Sequence, residues 1–282
     1  MTKILACVDA SAYAPSVCDL AAWASRRLSL PVELLHVVQR VDAIAQRHDW
    51  SGAIGLGAKT DLLQELTGLE EAESRLQVER GRVLLTTMTE RLKAQGASMT
   101  TPLHRHGGIV ETIVEREADA RVVVIGKRGA SHEFAADHIG SKVERVVRAS
   151  GKPVLIASRT VNEPTAVVLA YDGSMAAKRA LERVAKSPLF SALPVHIVTA
   201  GPDDGKHRDM MESARAQISH DMVRLVIERG SPEDVIATAV ESVPNPLLVM
   251  GAYGHSPLRS LIVGSTTTAL IRTVHIPILL VR

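Results

Sequence analysis

Glycines at short, fixed intervals followed by hydroxyl side chains let backbone approach a phosphate closely, and three stretches of this chain invite that reading. Residues 250–268, MGAYGHSPLRSLIVGSTTT, carry Gly251, Gly254, Gly264 and Ser265 in the spacing G-x2-G-x9-G-S. Gly251 and Gly254 permit a tight turn beside a ligand, and Gly264-Ser265 opens a helix whose free N–H groups and dipole favour an anion. Ser265, Thr266 and Thr267 add hydroxyl donors, His255 and Arg259 add candidate positive charge, and the loop holds no acid. Residues 125–143, IGKRGASHEFAADHIGSKV, keep Gly126, Gly129, Gly140 and Ser141 but place ten residues between the second and third glycines. Val143 stands where the other stretch has Thr267, and Glu133 and Asp137 lie inside the loop. Carboxylates oppose phosphate unless paired, so Lys127, Arg128 and Lys142 are the cations that would offset them. In the third stretch, SGAIGLGAKT at 51–60, Ala58 separates Gly57 from Lys59-Thr60, and RHDW rather than an apolar strand precedes it. A P-loop needs lysine directly after that glycine, so these residues read instead as a hinge.

Other chemistry finds less support. His104 and His106 share a face of an extended segment, yet no third metal ligand is visible in the sequence, which favours a solvated strand end. Cys7 and Cys18 lack the spacing of a zinc or CxxC site and read as small apolar core residues of a reduced protein. Asp9 and Asp172 are either ligand contacts or helix N-caps, a task for which Ser11 and Ser174 are equally suited. No G-x-S-x-G elbow, H-E-x-x-H helix, kinase signature or S-G-G-x-D-S loop is present. With no general base beside a nucleophile, any nucleotide hydrolysis is expected to be slow.

The elements that position these residues are written twice. ILACVDAS (4–11) aligns with VVLAYDGS (167–174), and SLPVELLHVV (29–38) with ALPVHIVTAG (192–201), at an offset of 163. Later, RVVVIGKRG (121–129) aligns with PLLVMGAYG (246–254) at 125, and GKPVLIASR with HIPILLVR at 124. The first copy therefore carries an insert of about 40 residues near 39–80. Apolar β-branched runs alternate with longer amphipathic stretches, the pattern of βαβ units around a parallel sheet. We expect one domain over 1–158, a polar linker over 159–164 (RTVNEP) and a second domain over 165–282. Such a sheet binds ligands at the carboxyl ends of its strands, where Asp9, Asp172, Gly126 and Gly251 stand. In the insert, Leu62, Leu66, Leu69 and Leu76 recur at helical spacing, which predicts an amphipathic helix. Packing against the host domain is its simplest role; a lid over the pocket, or a contact with the other copy or a second chain, stays open.

Lys+Arg 33 against Asp+Glu 31 leaves a net charge of +2, so no bulk field recruits nucleic acid or an anionic membrane, and any anion site must be local. Aromatic residues make up 2%, too few for the stacking platforms of single-strand binders. The apolar run of MTKILACVDAS is too short for a signal peptide and no later run spans a bilayer, so a soluble cytoplasmic protein is expected.

The G-x2-G-x9-G-S loop after an apolar strand, combined with VDAS and YDGS after the first strand of each copy, resembles the universal stress protein family. The resemblance covers essentially the whole chain as two tandem copies. It implies two flavodoxin/Rossmann-like doubly wound α/β domains, each with a five-stranded parallel sheet of order 3-2-1-4-5 flanked by helices. It further implies pairing of the domains through their final strands, VLIASR and ILLVR, doing within one chain what a homodimer does with two. The implied ligand is ATP or a related adenine nucleotide, with Mg2+ as a companion ion, in a protein of stress-response regulation. Asp172 would then face adenosine, Ala200 would line the adenine pocket, and Met250 to Gly254 would pass under ribose and phosphates. Gly264, Ser265 and Thr267 would hold the phosphates, with Thr266 beside them. The same reading gives the first copy a second site from Asp9, Val37, Gly126, Gly129, Gly140 and Ser141, although its loop departs from the motif. Two other readings remain open: a scaffold or chaperone-like protein that binds no nucleotide, and a binder of an apolar metabolite under the insert.

Overall fold

The structure, a computed structural model, describes residues 2–38, 56–129, 141–252 and 265–282. In the first half, β1 (Lys3–Cys7), β2 (Val32–Val38), β3 (Thr100–His106), β4 (Ala120–Gly126) and β5 (Val154–Ala157) alternate with α1 (Ala14–Leu28), α2 (Leu56–Ala94), α3 (Ile109–Arg116) and α4 (Ser141–Ala149). The second half repeats the scheme with β6 (Ala166–Ala170), β7 (Val195–Ala200), β8 (Val223–Glu228), β9 (Pro246–Gly251) and β10 (Ile278–Val281). Its helices are α5 (Met175–Lys186), α6 (Gly205–Arg215), α7 (Pro232–Glu241) and α8 (Ser265–Thr273). The strands form a single ten-stranded sheet, β3-β2-β1-β4-β5-β10-β9-β6-β7-β8. Each half thus has the order 3-2-1-4-5, and the two doubly wound sheets join where β5 meets β10.

Every other strand pair is parallel, whereas β10 runs antiparallel to β5, pairing Ile278 with Ile156, Leu279 with Leu155 and Leu280 with Val154. All of these side chains are buried. At about 1.5–3 kcal/mol for each large apolar side chain removed from water, this junction packs as one core rather than as a hinge. Strands buried on both faces need unbroken apolar runs, which VVVI (122–125) and ILLV (278–281) supply. One face of the sheet packs α1, α2, α5 and α6 around Trp23, Leu20, Leu181 and Phe190. The other packs α3, α4, α7 and α8 around Ile113, Val146, Ile236 and Leu270. Helix starts follow local chemistry: Ser174 Oγ accepts from Ala177 N–H at 3.2 Å, and Ser231 Oγ accepts from Asp234 N–H at 3.1 Å with Pro232 next in the chain.

The insert corrects one expectation. Gly57 to Thr60 belong to helix α2 and not to a hinge. This helix has 39 residues, about 58 Å at 1.5 Å per residue, against 11 in its counterpart α6. Leu85, Met88 and Leu92 pack into the core, but Leu76 is 49% and Val83 58% exposed. Leu76 is therefore not part of a core against the host domain; the side chains of Leu62, Leu66 and Leu69 lie outside the described residues. Among the described residues no helix is long and apolar enough to cross a membrane.

Glu33, buried in β2, ties three elements of the first half together. Lys3 Nζ donates to Oε2 at 2.7 Å, and Arg116 donates to both oxygens at 2.8 and 2.6 Å. Burial pushes the carboxyl up, but the hydrogen bonds from Arg116 and Lys3 outweigh it and hold it below the usual range. Glu33→Gln is expected to lower stability by about 2 kcal/mol at pH 7 in urea denaturation, a discount on buried pairs because both cations are partly solvated. The folded pKa is depressed, so the wild-type advantage should fade as pH falls below about 4.

Candidate functional site

At the carboxyl ends of the first half's strands lies a cavity of about 80 Å³, in which Asp9, Val37, Gly126 and Gly129 come together with Arg128 and Lys142. The glycines are there for space. A Cβ on Gly126 would stand 2.7 Å from Tyr13 Cβ, and one on Gly129 would stand 2.8 Å from Asp9 Oδ2. Asp9 Oδ1 accepts from Ser11 N–H at 3.2 Å, an Asx turn that holds the carboxylate at the strand exit. Arg128 and Lys142 face the cavity as the sequence suggested, but Lys127 does not. Gly140 lies outside the described residues, as does the side chain of Ser141.

The second half repeats the turn: Asp172 Oδ1 accepts from Ser174 N–H at 2.9 Å, while Ser174 itself is the N-cap of α5. The serine therefore performs the capping and the aspartate shapes the loop. Ala200 ends β7 half-buried, and Met250 is buried among the side chains of the α7/α8 face. Gly251 meets the helix backbone: its Cβ would stand 2.4 Å from the carbonyl carbon of Ala176. Ser265, Thr266 and Thr267 open α8, with Thr267 buried. Thr266 Oγ1 donates to Glu233 Oε1 at 2.7 Å, which the sequence did not reveal. Glu233 belongs to the SPED start of α7, and its carboxylate beside the first turn of α8 suits the positive end of that helix. Gly254 and Gly264 lie outside the described residues.

Each half also clamps a helix of the other. Lys127, 4% exposed, donates to the carbonyls of Arg272 and Val274, both at 2.9 Å, at the C-terminus of α8. Arg282 donates to the carbonyls of Arg148 and Ser150 at 2.9 and 3.3 Å, at the C-terminus of α4. Helix ends leave carbonyls without partners inside the helix, and cations complement their dipole. Burial, with Arg128 adding to it, lowers the Lys127 ammonium to about 8.

Neither thiol is activated. Burial raises Cys7 far above the usual range, and burial followed by the Asp19 carboxylate pushes Cys18 up to about 12. The structure adds His36 to His104 and His106: ring centroids lie 5.2 Å apart for His36–His104 and 5.5 Å for His104–His106. Helix α2 crosses them at Gly81, whose Cβ would come within 2.7 Å of the His104 ring. Burial, then the two neighbouring rings, lowers the His104 pKa. Among the described residues no cluster of His, Cys, Asp or Glu is arranged to hold a metal.

Comparison with known proteins agrees with this architecture. The chain is 32% identical over 292 residues, all of both sequences, to the universal stress protein Slr1230 of Synechocystis sp.. A universal stress protein of Archaeoglobus fulgidus superposes with a TM-score of 0.72 at 22% identity, covering 99% of this chain and 98% of its own. A Pseudomonas aeruginosa protein described as a putative universal stress protein gives 0.63 at 14% identity, covering 100% and 93%. The family model described as "Universal stress protein family" matches residues 1–158 and 200–282. With two strand-exit turns of one design in one continuous sheet, and a full-length relative, the chain belongs to the universal stress protein family.

Proposed function

We propose that this chain is a tandem universal stress protein, with domains 1–158 and 165–282, that binds an adenine nucleotide as a cytoplasmic regulatory signal. The observation that carries this reading is the glycine-spaced exit of β9 leading to the hydroxyl-rich start of α8, in a fold that places ligands at such exits. Asp172, Ala200, Met250 and Gly251 supply the nucleoside side of the site, and Gly254, Gly264, Ser265, Thr266 and Thr267 the phosphate side. Glu233 opposes bare phosphate there. Its carboxylate and the Thr266 hydroxyl are oxygen donors of the kind Mg2+ takes, which would let carboxylate and phosphates coexist. The first half's loop has one residue more than the motif and carries Glu133 and Asp137, which favours the second half.

Native mass spectrometry of freshly purified protein should find AMP, ADP or ATP, and thermal shift with millimolar MgATP should raise the melting temperature. Gly264→Asp, which adds a carboxylate at the α8 start, should abolish both, while Lys142→Gln leaves them intact. The opposite pattern would move the site to the first half. The absence of both bound nucleotide and a thermal shift would overturn the reading.

The exposed Leu76 and Val83 of α2 favour a second reading, a scaffold whose contact surface is this helix. Deleting residues 42–74 then abolishes partner binding but leaves the MgATP shift.

A further inference from the structure

A second cavity, of about 290 Å³, opens at the join of the two halves and shares no residue with either strand-exit site. Arg121, Arg179, Arg183, Lys186 and Arg282 line it against the carboxylate of Glu182, a local charge of +4 in a chain whose net charge is +2. Lys186 is bonded to Glu182 at 2.7 Å, and Arg282 to the α4 carbonyls. The Nε and Nη2 groups of Arg179 are buried with no hydrogen-bond partner. Guanidinium N–H groups left so cost free energy that only an acceptor or water recovers. Arg183 is half-buried nearby, its pKa lowered by burial and then by Arg121.

Two observations argue that these cations are not demanded by the fold. At the offset of 163, Arg179, Arg183 and Lys186 correspond to Ser16, Leu20 and Trp23 of α1, whose exposures are 4%, 0% and 1%. The same helix in the same place packs without charge in the first copy. Arg121 is also delivered irregularly: Lys3 pairs with Ala120 and Ile4 with Val122, so Arg121 is the extra residue of a bulge. Bulges re-aim side chains and are frequent beside functional sites. The second copy has no such irregularity between β6 and β9.

We propose that this cavity binds a polyvalent phosphate of the pyrophosphate class, clamped by Arg179 and Arg183 from α5 and by Arg121 from the opposite domain. Planar guanidinium forks match phosphate oxygens two at a time, and a charge of this size needs a polyvalent counterpart. The volume admits a small ligand, and the remaining lining, Ser187 and Val281, offers no ring on which a base would stack.

The test is calorimetric titration of the full chain with sodium pyrophosphate at low salt and again in 0.5 M NaCl. One site per chain is expected, weakened by salt. Arg121→Gln and Arg183→Gln should each reduce affinity at least tenfold, and the surface control Lys206→Gln should not. Arg121 is exposed, so its variant keeps the test valid should Arg183→Gln fold poorly. Both variants should retain the MgATP thermal shift, which separates this site from the nucleotide site. Absence of binding at low salt, or binding that survives both arginine substitutions, overturns the proposal. So does binding lost in Lys142→Gln, which would place the anion in the first half's strand-exit cavity.

Discussion

Gly251→Ala should lower the stability of the second half by about 3 kcal/mol, the upper end of the usual cost of inserting a methyl into a packed site. The added Cβ would stand 2.4 Å from the carbonyl carbon of Ala176, 2.6 Å from its oxygen and 2.7 Å from its Cβ. Two of those atoms are helix backbone, which no rotamer change can move. Either α5 lifts from the sheet or β9 shifts, and both loosen Ala180 and Leu181, which are fully buried. Thermal denaturation followed by circular dichroism should show a fall of about 5 °C for a chain of this size. Adding Ala176→Gly should restore little, because it removes only the side-chain part of the clash. A full recovery would mean that the helix backbone is not the obstacle. Gly251 consequently has a packing reason of its own, and loss of nucleotide binding in this variant alone would not identify a ligand contact.

The burial of Lys127, with Arg128 beside it, predicts an unusual dependence on alkaline pH. Its folded pKa is lowered from an ordinary 10.5 to about 8, so between those values the unfolded chain holds more protons than the folded one. Stability attributable to this lysine must then rise with pH through that window. The advantage of the wild type over Lys127→Met should grow between pH 7 and 10.5 by on the order of 3 kcal/mol. Taking the difference between the two proteins cancels the tyrosines and exposed lysines that titrate there. Urea denaturation at pH 7, 9 and 10.5 measures it. A flat difference would mean that the two carbonyls hold the ammonium strongly enough to offset its burial.

What could be read in the sequence was whatever repeats or lies close along the chain. The constant offset between ILACVDAS and VVLAYDGS announces two copies, and the apolar runs announce parallel strands. The strand exits at Asp9, Gly126 and Gly129 do converge on one cavity, as the fold class requires. Glu233, Lys127 and the Arg121 bulge could not be read, because each depends on partners far away in sequence. Lys127 reaches carbonyls 145 and 147 positions distant, and Glu233 meets Thr266 at a separation of 33. A lysine beside phosphate-loop glycines is naturally taken for an anion ligand, and only the opposite domain reveals its other use. Leu76 misled for a related reason: helical spacing shows that a stripe exists but not what, if anything, covers it.

The antiparallel join of β5 and β10 has a consequence for communication across the chain. It reverses the direction of one half, so the two strand-exit sites open on opposite rims of the sheet, and no small ligand can touch both. Helix α8 nevertheless begins at one rim with Ser265 and ends at the other under Lys127, while α4 begins beside Lys142 and ends under Arg282. The molecule is cross-braced: each of these two helices starts at its own half's rim and ends under a cation of the other half.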